Sequence, residues 1–176
     1  ASGATLGLAG EGSGGLAMSS GVIANGTLDI AAMDAGAQIK SLSGAGAVNL
    51  GNNKLTLTNA SGNFSGTIRG SGGLELASGH EILSGRNTYS GDTSIVQGAT
   101  LALAGNGSIA NSRVSGGGTL DISGSNGSAA IKSLAGAGSV LLGGQTLTLT
   151  NAGDTFKGGM GGSGGLAIAG IGQGQG

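Results

Sequence analysis

The sequence predicts an all-β fold, a parallel β-helix (β-solenoid) of about 8–9 coils of about 20 residues each. Three observations predict it. The chain repeats itself. Its apolar residues come in alternating pairs. The pairs recur at a near-constant interval, the length of one coil.

The repeat relates residues 3–79 to residues 98–170, with 80–97 as a connecting coil. Gly3-Ala4-Thr5-Leu6 returns as Gly98-Ala99-Thr100-Leu101, a shift of 95. A three-residue deletion then sets the shift at 92. Gly26-Thr27-Leu28-Asp29-Ile30 matches Gly118-Thr119-Leu120-Asp121-Ile122. Ile39-Lys40-Ser41-Leu42 matches Ile131-Lys132-Ser133-Leu134. Leu55-Thr56-Leu57-Thr58-Asn59-Ala60 matches Leu147-Thr148-Leu149-Thr150-Asn151-Ala152, and Ser71-Gly72-Gly73-Leu74 matches Ser163-Gly164-Gly165-Leu166. Residues 1–176 read as a single solenoid segment.

The pairs begin with Leu6-x-Leu8, Leu28-x-Ile30, Val48-x-Leu50, Leu55-x-Leu57 and Leu74-x-Leu76. They continue with Leu101-x-Leu103, Leu120-x-Ile122, Val140-x-Leu142, Leu147-x-Leu149 and Leu166-x-Ile168. Period two puts each pair on one face of a strand. Leu28 and Val48, Leu55 and Leu74, and Leu120 and Val140 are each about 20 residues apart, a period that suits a solenoid. One coil of that length stacks its leucines on those of the last. Coils spaced about 4.8 Å apart make a rod roughly 40 Å long. Glycine clusters at 70–73 and 162–165, Gly44-Ala45-Gly46, and the Asn-Gly pairs at 25, 106 and 126 supply the turns. The chain starts in mid-pattern at Gly3 and stops at 172–176, where another coil is due. This suggests a piece of a longer array.

Composition agrees. Glycine is 43 of 176 residues, proline and cysteine are absent, and charged residues are 9%. Glycine at that level makes long helices costly, at roughly 1 kcal/mol each. Phe64, Phe156 and Tyr89 are the whole aromatic set, so a wide core would be hard to fill. A thin aliphatic core suits a solenoid. Net charge is −1, and seven cations spread singly make no nucleic-acid footprint. No run of 18 apolar residues crosses a bilayer, and Ala1-Ser2-Gly3 does not open a signal peptide.

Residues 87–103, Asn87-Thr88-Tyr89-Ser90-Gly91-Asp92-Thr93-Ser94-Ile95-Val96-Gln97-Gly98-Ala99-Thr100-Leu101-Ala102-Leu103, resemble the passenger-associated transport repeat of bacterial autotransporters. Phe64-Ser65-Gly66 and Phe156-Lys157-Gly158 look like degenerate copies of its aromatic-x-Gly step. The resemblance implies a right-handed parallel β-helix outside a Gram-negative cell, used as stalk, folding template or adhesive surface. The expected location is extracellular or on the bacterial cell surface. The expected function is structural or adhesive. The alternative is a subunit of a self-assembling extracellular filament or biofilm matrix fibre, joined through open β-helix edges. The expected partner is the chain itself, end to end or side by side, or the surface of a host or neighbouring cell. Nucleic acid is not expected, nor membrane insertion of this segment.

Candidate chemistry is thin, and the chain is expected not to be an enzyme. No catalytic, cofactor or metal-binding residues are assigned. His80 beside Glu81 offers a general base without a nucleophile, and it lies outside the repeat, so a surface or turn role is expected. The carboxylates are Glu11, Asp29, Asp34, Glu75, Glu81, Asp92, Asp121 and Asp154. Only Asp29 and Asp121 are shared by both repeats, which favours a repeated surface charge over paired catalytic acids. Lys40 and Lys132 follow them at one common offset, and solvated ion pairs are expected. Arg69, Arg86 and Arg113 are too scattered to form a clamp. Thr56-x-Thr58 and Thr146-x-Thr148-x-Thr150 resemble the threonine ranks of ice-binding solenoids but occur once per repeat. They read as ordinary outward threonines. No calcium nonapeptide or metal-ligand spacing is found. Phe64, Phe156 and Tyr89 read as plugs at core corners.

Overall fold

A computed structural model describes residues 3–10, 16 and 18–169. The open end expected at 172–176, and Glu11, lie outside the described residues. The strands begin with β1 (Thr5–Gly10), β2 (Val22–Ile23), β3 (Thr27–Met33), β4 (Ala37–Ile39), β5 (Leu42–Ser43), β6 (Ala47–Asn49) and β7 (Leu55–Leu57). Next come β8 (Asn63–Phe64), β9 (Thr67–Arg69), β10 (Leu74–Leu76), β11 (His80–Leu83), β12 (Thr93–Ile95), β13 (Thr100–Gly105) and β14 (Arg113–Gly116). The rest are β15 (Thr119–Ser125), β16 (Ala129–Ile131), β17 (Ser133–Leu134), β18 (Ser139–Gly143), β19 (Thr146–Leu149), β20 (Gly159–Gly162) and β21 (Gly165–Ile168). Among the described residues there is no helix, and the strand pairs are parallel.

The chain visits three faces in a fixed cycle. Face I holds β1-β3-β6-β9 and, further along, β16-β19-β21. Face II holds β4-β7-β10-β12-β14-β17. Face III holds β2-β5, joined through the Gly44–Phe64 bridge to β8-β11-β13-β15-β18-β20. The result is a β-solenoid of about eight turns of about 20 residues.

The alternating pairs explain the stack. Leu28 pairs with Val48 and Val48 with Ile68 along face I. Ile39, Leu57, Leu76 and Ile95 do the same on face II. Leu101, Leu120, Val140 and Met160 follow on face III. Most of these side chains are fully buried, each worth roughly 1.5–3 kcal/mol of transfer free energy. The pattern fails towards the two ends of the described stack. There Leu6 is 53% exposed, Leu166 44% and Ile168 65%.

Glycine supplies the corners. Gly44 and its repeat mate Gly136 have φ of +102° and +95°, a region that L side chains avoid. Gly46 and Gly66 stack at another corner. A Cβ on Gly66 would strike the Gly46 carbonyl oxygen, and one on Gly46 would strike that of Gly26. Nothing larger than glycine fits.

The two repeats do not share faces. Thr27-Leu28-Asp29-Ile30 lies on face I in β3, and Thr119-Leu120-Asp121-Ile122 on face III in β15. Leu55-Thr56-Leu57 lies on face II, and Leu147-Thr148-Leu149 on face I. Ser41-Leu42 meets face III, and Ser133-Leu134 face II. Every repeated segment is displaced by one face. A shift of 92 is one face short of five turns.

Candidate interaction surfaces and a buried carboxylate

The one-face offset overturns the expected repeated surface. Asp29 and Asp121 point outward from different faces, so no common contact face carries both. Their local role does repeat. The Ala31 N–H donates to Asp29 Oδ1 at 2.9 Å, and the Ser123 N–H to Asp121 Oδ1 at 2.9 Å. Each carboxylate ties down the β-bulge that follows it in its strand. The Ala31 N–H, and after it the Asn49 amide at 3.1 Å, hold Asp29 below the usual carboxylate range. Neither aspartate pairs with Lys40 or Lys132. Among the described residues the ion pairs are Lys54–Glu75 and those of Arg113.

Arg113 is not isolated. Its Nε and Nη2 donate to Asp154 at 2.8 and 3.0 Å, and its Nη1 to Asp92 at 3.3 Å. The Ser133 hydroxyl also donates to Asp154, at 2.5 Å. Asp92, Arg113, Ser133 and Asp154 follow one another in the sequence at one coil length each. They form a polar clasp up four coils, beside Lys132 and Asn151. The Arg113 guanidinium, then the Ser133 hydroxyl, hold the Asp154 carboxyl low. Hydrogen bonds donated to Asp154 push Arg113 higher. Reading the arginines as scattered missed this because it ignored the coil period. The first repeat has Gly21, Ser41 and Gly62 at the positions of Arg113, Ser133 and Asp154, so the clasp is not repeated.

His80 and Glu81 do not cooperate. They alternate on β11, His80 outward and exposed, Glu81 inward with no exposed surface. Glu81 sits in a row meant for aliphatics, directly under Leu101. Gly62 makes room for it; a Cβ there would lie 2.9 Å from Glu81 Oε1. Oε2 accepts the Gly62 N–H at 3.1 Å, whereas Oε1 has no partner. Burial pushes the carboxyl up to about 7, against the pull of the Gly62 and Leu42 N–H groups. The sequence held a signal: Glu81-x-Leu83 falls one coil before Leu101-x-Leu103.

The same connecting coil holds other buried polar groups. Tyr89 Oη, Thr93 Oγ1 and Ser112 Oγ form a chain with both spacings 2.7 Å, ending on the Gly91 carbonyl at 2.6 Å. The Asn87 carboxamide oxygen accepts the Ile68 N–H at 2.9 Å. The Asn87 and Tyr89 of the resemblance motif thus carry structural duties. Burial raises the Tyr89 hydroxyl above its ordinary value. Phe64 and Tyr89 are buried plugs as expected, and Phe156 is a half-buried one.

Thr56 stacks between Gln38 and Glu75, and Thr148 between Ala130 and Ala167, so these threonines form no continuous rank. Among the described residues no three His, Asp or Glu side chains gather as metal ligands, and no helix is long and apolar enough to cross a membrane.

No family model, no curated protein and no solved structure matches the chain.

Proposed function

We propose that the chain is a non-enzymatic structural and adhesive segment of an extracellular or bacterial cell-surface protein, a stalk or binding surface like that of an autotransporter passenger. The carrying observation is the stack of parallel coils. About eight turns share one aliphatic interior, and the sides present short polar groups. A rod of this kind holds its surface rows at fixed spacing and offers extended, polar, individually weak contacts. Resemblance of 87–103 to the transport repeat supports the location. Beads coated with the purified chain should bind bacterial or epithelial cells above albumin-coated beads. Binding equal to albumin on both cell types overturns the adhesive reading. Cleavage of a polysaccharide overturns the non-enzymatic one.

A second reading has its own support. Leu6 on β1, and Leu166 and Ile168 on β21, expose apolar surface at opposite ends of the described stack. Edge strands of that character pair readily with another strand. The alternative is therefore a filament subunit joined end to end. Negative-stain images showing long filaments favour it; short single rods exclude it.

A further inference from the structure

Successive coils are normally laced by backbone hydrogen bonds on every face. Face I breaks this rule once inside the stack. Residues 106–111 lie under 127–131, and no backbone hydrogen bond joins the two segments among the described residues. β16 pairs upward with β19 only. Gly107, Ser108 and Ile109 spend backbone groups on Ala104, Gly85, Asn87 and Ser112, and 129–131 on β19; the groups that face across the break have no partner there and take one from outside.

The break is a cleft. It is pinned at one end by the Asn126 N–H on the Gly105 carbonyl at 2.8 Å. The Lys132 N–H on the Ser112 carbonyl, at 2.9 Å, pins the other. Between the pins the cleft measures about 620 Å³, within the range of small-molecule sites, roughly 300–1,000 Å³. Its polar side chains include Arg86, Asn106, Ser108, Asn126 and Ser128, and neither a carboxylate nor an aromatic lines it. Arg86 has no ion-pair partner among the described residues. Asn106 and Asn126 touch only loosely, at 3.5 Å, which leaves amide donors and acceptors open.

We propose that this cleft binds a compact, hydroxyl-rich carboxylate, the uronic-acid class of sugar. The Arg86 guanidinium pairs with the carboxylate through two parallel N–H donors. The Asn and Ser side chains and the free backbone groups meet the ring hydroxyls. Alanine methyls are the only apolar side chains in the lining, which disfavours an oily ligand. The inference rests on the adhesive reading and deepens it by giving the rod a ligand class.

The test is amide chemical-shift mapping of the ¹⁵N-labelled chain titrated with glucuronate, with glucose and acetate as controls. Saturable shifts at 105–110 and 126–130 are expected with glucuronate, and weaker ones with either control. Arg86→Gln should weaken glucuronate binding several-fold at unchanged Tm, because a charge-assisted pair is lost from an exposed site. Three results overturn the proposal: no shifts with tens of millimolar glucuronate, acetate as good as glucuronate, or R86Q binding as the parent does. Cell adhesion of coated beads that survives R86Q defeats this site and spares the adhesive reading. Loss of adhesion in the parent does the reverse.

Discussion

Leu101, Leu120 and Val140 stack in one inward row on face III, each fully or almost fully buried. One coil below Leu101, the same row holds the carboxyl of Glu81. The contrast runs through the whole connecting coil. The repeats are filled mainly with Leu, Ile and Val, with a few serines in the second, whereas 80–97 adds Glu81, Asn87 and Thr93 to the interior beside Leu83, Tyr89 and Ile95. Aliphatic packing has no preferred direction beyond shape, so an aliphatic row on one face can serve on another. That is why the repeat tolerates a displacement of one face: Leu28 fills face I and its mate Leu120 fills face III. Buried polar groups need one partner at one place. Glu81 needs the hollow left by Gly62, and Tyr89 needs Thr93 and Ser112. Those groups occur once, in and around the segment the repeat skips.

The hardest blow to this comparison is a charge in the aliphatic row. Leu120→Asp buries an unpaired carboxylate and should cost several kcal/mol, enough to unfold a marginal domain. Leu166→Asp, at the exposed end of the second repeat, should cost far less. Thermal melting by circular dichroism compares them. Equal melting temperatures for the two variants remove the aliphatic-row account.

Glu81 tests the other side. Its carboxyl is raised from 4.5 to about 7, so the folded chain holds a proton that the unfolded chain releases. Between those two values the folded state binds more protons, and stability falls as pH rises. The contribution is complete below about 4.5 and gone above about 7, a span of roughly 3 kcal/mol at about 1.4 kcal/mol per unit. Asp29 and Asp154 work in the opposite sense and lie lower, so the comparison is with a variant. Glu81→Gln should remove the loss of stability between pH 4.5 and 7, and Glu81→Leu should extend the aliphatic row and melt higher at neutral pH. Denaturant melts at the two pH values read both effects. A parent whose loss over this range matches that of E81Q shows that the carboxyl is not held neutral.

Much of this was legible before the fold was known. Alternating pairs returning once per coil length announced the coils, and Gly44-Ala45-Gly46 announced a corner. The faces were less legible. A repeat at a shift of 92 looks like a repeated surface until it is divided by the coil length. Only then does Asp29 part company with Asp121. The clasp was hidden for the same reason: Arg113 and Asp154 are 41 residues apart in sequence but two coils apart in space. The cleft under 127–131 was not legible at all. It comes from a missing ladder, and no residue pattern marks a bond that fails to form.

The smallest expected effect belongs to that clasp. Its groups are partly solvated, with side-chain exposures of 35% for Arg113, 61% for Asp92 and 26% for Asp154. Exposed pairs contribute little, and the bidentate geometry puts Arg113–Asp154 at the upper end of their range. Arg113→Ala should therefore lower Tm by a few degrees at most, and the difference should shrink in about 1 M salt, where charges are screened beyond about 3 Å. The pH profile adds a signature. Asp154 titrates below 3.8 in the folded chain, so its contribution is present above that value and is lost as pH falls through the lowered one. The gap between parent and R113A should thus persist at pH 5 and close in stronger acid, opposite in sense to the Glu81 effect. A gap that survives both high salt and acid means that Arg113 stabilises by packing its stem against β12 and β17. The charges would then be incidental, and the second repeat would be held, like the first, by its aliphatic rows alone.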